Sequence, residues 1–324
     1  MKTIIARAPR AVATAVAVAA AAFASPALAY PDKPVTIVVP FAPGGSSDSA
    51  TRMLAEQLSQ KWKKPVVVEN KPGAYSSIGA GQVARAAPDG YTILLASVSV
   101  GTIKLFLKNP GFDPLKDLTP VTQIARGDYV LAVNKSLPVS NMKELAEYAR
   151  ANPDKVNHAA FGSGSMLAFE QFSESMKFKA QNVNYRGEAM ALNALMAGDV
   201  QLMLATLSAA RPFIEAGRIK PVGIFSKQRS PIAPDIPSAD ESGGSGYYVD
   251  FWFGFMVPTG TPEAIRRKIA ADTAEILQKD EVKKKLYSLG LVATSSTAEA
   301  FGKLIHTEST RWVETAKRAG LQAE

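Results

Sequence analysis

The chain has 324 residues, a formal net charge of +8, two histidines and no cysteine. The missing cysteine excludes disulfides, thiolate metal sites and thiol nucleophiles, and the length exceeds what one hydrophobic core usually serves, so two lobes are expected. The lysines are scattered, and their densest run, Lys283-Lys284-Lys285 beside Glu281, falls in a helical pattern as a solvated face, which argues against a nucleic-acid footprint.

Lys2, Arg7 and Arg10 open the chain, residues 11–24 are apolar apart from Thr14, and Ala27-Leu28-Ala29 offers small residues for cleavage. This is the pattern of a secretory signal peptide, 1–29, cut after Ala29 to leave Tyr30 first. Its alanine-dominated stretch is shorter than the ~20 residues a membrane span needs, and no later segment reads as a span. The leader holds three basic and no acidic residues, so its removal takes the charge from +8 to +5.

Val35, Ile37, Val38 and Val39 form the β-branched run of a strand buried on both faces, ended by Pro40. Pro43-Gly44-Gly45 then turns the chain, Ser46 or Ser47 caps a helix with Asp48 in its first turn, and Ala50, Met53, Leu54, Leu58 and Trp62 keep helical spacing. Unpaired N–H groups at such a helix start attract a carboxylate or phosphate. A nucleotide is the weaker fit, because GxxxxGK[ST] is absent and no GxGxxG follows the strand. Asp48 has two readings: a helix-start acid paired with Arg52, or an acceptor for a water that donates to the ligand.

Further on, 66–68 reads as a strand, 78–87 as a helix closed by Pro88-Asp89-Gly90, and 91–96 as a strand, an alternation that predicts a parallel sheet. Gly79-Ala80-Gly81-Gln82-Val83-Ala84 fits GxGxxA on paper, but no strand precedes it and no acid follows about 20 residues on, so its glycines are read as close helix–sheet packing. After an irregular stretch, strands are predicted at 121–125 and 129–133, the latter crossing to a new lobe. Ser140 caps a helix carrying Met142, Leu145, Ala146 and Ala149, and a strand at 156–161 leads into Gly162-Ser163-Gly164-Ser165 and another helix, repeating the strand, Gly/Ser turn and helix order. A helix follows Tyr185-Arg186-Gly187 and stops at Gly198. Strands at 201–204 and 221–225 complete the second lobe, 231–246 is a surface loop, and 251–257 recrosses. Helices then open at Thr261-Pro262 and at a capping box, Ser296-Thr297-Ala298-Glu299. The expected architecture is α/β with mostly parallel sheets: one lobe from 30–129 plus 256–324, the other from 130–255, closing on a cleft where both Gly/Ser turns face one ligand.

Enzyme chemistry finds little support. HExxH, GxSxG and SxxK are absent; His158 falls in a strand as a satisfied core residue and His306 on the exposed flank of the last helix. No cofactor or metal is implied. Ser163 and Ser165 serve either as helix caps or as ligand contacts, and Tyr185 and Arg186 either as turn residues or as a clamp on the far end of the ligand. Charge-assisted hydrogen bonds contribute about 1.5–3 kcal/mol each, so four or five of them, less ordering costs, approach the ~8 kcal/mol of a micromolar complex without a buried lysine.

The segments VTIVVPFAPGGSSDSATRMLAEQL, KPVVVENKPGA, ARAAPDGYTILLAS, NHAAFGSGS, NYRGEAMALNALMAGDVQLML and WFGFMVPTGTP, in this order, resemble the solute-binding receptors of tripartite tricarboxylate transporters, the Bug or TctC-type proteins, over the whole mature chain. The resemblance implies a periplasmic, type II-like two-lobed receptor that captures a small organic acid and contacts integral membrane transporter subunits transiently, as a monomer. A sensing subunit for a signalling receptor and, more remotely, an enzyme of acidic metabolites are the alternatives. Carried over by motif, the ligand residues are Phe41, Pro43, Gly44, Gly45, Ser46 and Asp48 in the first loop, Ser97 and Ser99 after the third strand, Gly162, Ser163, Gly164, Ser165 and Met166 in the second loop, and Tyr185, Arg186 and Gly187. Met166 stands where such chains often have histidine, Ala42 replaces a common proline, and Tyr75 interrupts a glycine-rich turn. Asp128 is either a solvent-facing hinge acid or, if it faces the cleft, a selector for an amino group.

Overall fold

The structure, a computed structural model, describes residues 30–318 and 320. The leader and its cleavage point lie outside the described residues. Two units separate between Asp32 and Lys33; the features below belong to the second.

β1 (Val35–Val39) is buried along nearly all its length, and α1 (Ser46–Trp62) follows with Leu54, Leu58 and Trp62 inward. Next come β2 (Val66–Asn70), α2 (Ser77–Ala84) and β3 (Thr92–Ala96). Gly79 of α2 sits so near β1 that a Cβ would meet the Lys71 carbonyl and Pro40 at 3.0 Å, the close approach its glycines predicted.

The two strands expected at 121–125 and 129–133 are one 17-residue strand, β4 (Leu118–Asn134). Beyond it lie α3 (Met142–Ala151), β5 (Asn157–Ala160), α4 (Ser163–Ser175), β6 (Gln181–Asn184), α5 (Glu188–Ala197), β7 (Leu202–Thr206), α6 (Leu207–Glu215) and β8 (Ile219–Ile224). The long loop after β8 leads to β9 (Asp250–Pro258), α7 (Glu263–Gln278), α8 (Asp280–Ser288), β10 (Leu291–Ala293) and α9 (Ala298–Arg318). Three of these elements escaped the sequence: β6 is a short polar edge, β10 has three residues, and α6 contains Pro212. Two caps move by one position. Asn141 Oδ1, not Ser140, accepts the Glu144 N–H at 2.8 Å, and Thr297 Oγ1 accepts from Ala300 at 3.1 Å while Ser296 Oγ takes the Gln123 N–H of β4.

The strands run in the order β2-β1-β3-β9-β4-β7-β5-β6, with β8 and β10 also on β4. β2, β1 and β3 are parallel, as are β6, β5 and β7, but β4 and β9 run antiparallel to each other and to their neighbours, so the sheets are mixed. β4 continues through the positions that suggested a break for identifiable reasons. Its register against β9 shifts beside Pro120, which has no N–H to donate, and Gly127 leaves room for the Phe251 ring, which any Cβ there would strike.

His158 of β5 is a satisfied core residue, as expected. Its Nε2 accepts the Leu204 N–H at 3.2 Å, leaving Nδ1–H to donate to Asn182 Oδ1 at 2.7 Å, and its ring stacks on Phe169. Burial pushes its pKa down from 6.5 to about 3. The unfolded chain therefore binds a proton that the folded chain refuses between those values, so this contribution to stability is complete above about 6.5 and is lost as pH falls toward 3. The unfolding midpoint measured across that range drops accordingly, and His158→Gln, less stable at neutral pH, shows a flatter dependence. Gly254 of β9 lies under the Phe301 ring, which a Cβ would overlap, and Phe301 packs edge-on against Trp252 at 5.2 Å. Gly254→Ala destabilises the protein by about 1–3 kcal/mol in urea unfolding, the usual cost of overpacking.

Candidate functional site

The 41–48 loop leaves β1 and is tied down from below. Asp48 accepts the Gly44 N–H at 3.1 Å, Arg52 Nε at 3.0 Å and Asn70 Nδ2 at 2.9 Å, while the same Asn70 amide donates to the Phe41 carbonyl at 3.0 Å. Burial alone would raise the Asp48 pKa, but the hydrogen bonds from Arg52, Asn70 and Gly44 outweigh it and hold the carboxyl below its ordinary value. Asp48 thus sets the shape of the turn and presents its carboxylate to protein donors. The helix that follows, α1, starts at Gly45 with no side-chain cap.

Across from it, β5 ends in the Gly162–Ser165 turn, and α4 also starts without a side-chain cap. Gly162 holds φ +130°, a conformation that L side chains rarely adopt, with Phe41 and Ser99 within 3.5 Å of where its Cβ would stand. Gly164 lies equally close to Val98, at 3.2 Å from the same construction. The two serines of this turn are each bonded to protein groups. Ser163, fully buried, shares a 2.5 Å hydrogen bond with Thr102, and Ser165 Oγ donates to the Gly162 carbonyl and accepts the Phe161 N–H, each at 3.1 Å. Ser97 Oγ accepts the Ser99 N–H at 3.3 Å and orders the segment after β3.

These pieces line one narrow cleft. Of the predicted residues, Phe41, Gly45, Ser46, Ser97, Ser99, Gly162, Gly164 and Ser165 line it together. Tyr185 and Arg186 line a neighbouring cavity with Tyr75 and Asn184, which shares Phe41, Phe161 and Gly162 with the cleft. Pro43, Gly44, Asp48, Ser163, Met166 and Gly187 line neither. Gly187 acts by proximity, since a Cβ there would meet Ala42 at 2.8 Å. Asp128 faces a separate surface cavity with Arg126 and Asp250.

Sequence reasoning missed Glu188, Tyr129 and Thr206, together with the apolar wall of Phe161, Phe251 and Phe253. Glu188 is the first residue of α5, 4% exposed, and its carboxylate accepts the Thr206 N–H at 2.6 Å and the Ser46 hydroxyl at 3.1 Å. Burial raises its pKa, partly opposed by the hydrogen bonds from Thr206 and Ser46. Tyr129, on β4 and packed on Phe251, is likewise pushed up by burial, with the Glu188 charge adding to the effect. Glu188 follows Gly187 at a helix start, where an acid is unremarkable, so nothing local marked it. Glu188 and Tyr129 are the ionisable side chains lining the cleft, and neither is basic.

Residues 50–321 match the model of the tripartite tricarboxylate transporter family receptor, TctC. The chain is 32% identical to protein BugT of Bordetella pertussis over 311 residues, 94% of this chain and 95% of that one. Among solved structures it is similar to R. palustris Rpa4515 with adipate (32% identity, TM-score 0.88, covering 91% of this chain and all of that one) and to MatC from Rhodopseudomonas palustris with bound malate (31%, 0.83, 88% and 99%). The chain belongs to the tripartite tricarboxylate transporter receptor family and, like its members, is a periplasmic-type solute-binding receptor built on the α/β fold of periplasmic binding proteins.

Proposed function

We propose that this receptor captures a small organic acid in the cleft described above and passes it to the membrane subunits of a tripartite tricarboxylate-type transporter, performing no reaction on it. One observation carries the reading: α4 begins without a side-chain cap at Gly162, which lines the cleft, whereas the first N–H of α1, at Ser46, is already directed at the Glu188 carboxylate at 3.5 Å. Helix starts of this kind offer N–H donors and the positive end of a dipole to an anion. The adipate and malate held by the two related receptors are small organic acids, in keeping with this reading.

The proposed receptor is a monomer whose leader is cut after Ala29. Its lobes, 30–129 with 256–324 and 130–255, close by bending where β4 and β9 pass between the sheets. The pairing of Asp128 with Asp250, and of the rest of β9 with β3 and β4, supports a second crossing at the start of β9, a few residues before the 255 boundary. Among the described residues no helix is long and apolar enough to cross a membrane. The cavity carrying Tyr185 and Arg186 would take the far end of a longer acid, with Arg186 as a planar fork for a second carboxylate.

A thermal-shift screen of the mature protein against dicarboxylates, tricarboxylates, aromatic acids and acidic amino acids gives a raised melting temperature with at least one of them, because a ligand that binds only the folded state stabilises it. A response confined to sugars or cations would sink the reading. Asp48→Ala, which frees the Gly44 turn, and Ser163→Ala, which breaks the link to Thr102, each weaken that acid's binding by about 1–3 kcal/mol without unfolding the protein. Titration calorimetry checks this, and unchanged affinity in both variants removes these loops from the site.

A further inference from the structure

The cleft has a feature that a receptor for plain diacids does not need. Glu188, the one carboxylate on its wall, is buried against Gly45 at the start of α1, and among the described residues it forms no ion pair. Its hydrogen bonds come from uncharged donors, the backbone N–H and the hydroxyl of both Thr206 and Ser46. All four donors are neutral, so they solvate the carboxylate without balancing its charge, and a charge buried without a counter-charge is costly. A ligand carboxylate placed beside it would be repelled, whereas a cationic group would complete it. Asp128, the acid whose position in the sequence suggested an amino-group selector, faces the separate cavity with Arg126 and Asp250 and cannot take that part.

We infer that Glu188 makes this receptor select acids that carry an ammonium group close to the carboxylate, with Glu188 as the counter-charge of the ammonium and the uncapped start of α4, beside Ser99, as the seat of the carboxylate. The inference rests on the carboxylate reading of the cleft. It assigns the two ends of the ligand to different walls. The acid end faces a helix that supplies N–H donors and no competing anion, and the ammonium faces the helix start that already has an anion. Such a site discriminates by repulsion as much as by attraction, since a diacid presenting a second carboxylate to Glu188 is rejected.

The test uses pairs that differ by one ammonium: succinate and L-aspartate, glutarate and L-glutamate, adipate and L-2-aminoadipate, titrated calorimetrically into the mature protein and into Glu188→Gln. In the unaltered protein the aminated member of at least one pair binds tenfold or more tightly than its partner, and in Glu188→Gln that preference falls by tenfold or more. Plain diacids that bind as tightly as their aminated partners in every pair overturn the role of Glu188 while leaving the carboxylate reading intact. So does an amine preference that survives in Glu188→Gln. Absence of binding by all six acids overturns the role of Glu188, and the wider acid screen then decides the carboxylate reading. The comparison within the unaltered protein stands even if the variant fails to fold.

Discussion

The structure depends on the antiparallel pairing of β4 with β9. β4 is long enough to lie in both sheets, paired with β9 and β10 along its first part and with β7 and β8 along its second. Each parallel set, β2-β1-β3 and β6-β5-β7, therefore hangs from one continuous pair of strands, and the ends of β1 and β5 are carried to the same cleft. Pairing of this length needs residues that permit it. Pro120 is tolerated because the register shifts beside it, and Gly127 because the Phe251 ring occupies the space a side chain would take.

The site is made of backbone brought close by small residues. Gly45 lies against Glu188, Gly162 against Phe41 and Ser99, Gly164 against Val98, and Gly187 against Ala42. Each contact joins one side of the cleft to the other. The polar side chains nearby are largely spent on holding these turns: Asp48 on Gly44, Asn70 and Arg52, Ser163 on Thr102, and Ser165 on its own loop. In the proposed reading the anion needs no lysine in such a cleft, and donors fixed before a ligand arrives lower the ordering cost of binding.

Against that background Glu188 stands apart. The residues around it are uncharged, and its hydrogen bonds run to Ser46 on one side and Thr206 on the other. It places a buried acid on a wall otherwise made of backbone and uncharged side chains.

Much of this was legible in the chain. The β-branched runs, the Gly/Ser turns that follow β1 and β5, and the apolar faces of the helices follow from local preferences, and local preferences are what residue spacing records. For the same reason the loops at 41–48 and 162–166, the Asp48–Arg52 pair and the buried His158 could be named before any coordinates. What the sequence could not express was which elements meet. Whether 121–125 and 129–133 were two strands or one depended on β9, more than a hundred residues away, and the antiparallel sense of the crossings came with it. Glu188 looked like any acid at the start of a helix until Ser46 and Thr206 closed over it. The chain by itself determined the turns and the donors they expose; only the tertiary structure decided which of them share a cleft and that a buried carboxylate faces them, because burial and charge are properties of what surrounds a residue and not of the residue alone.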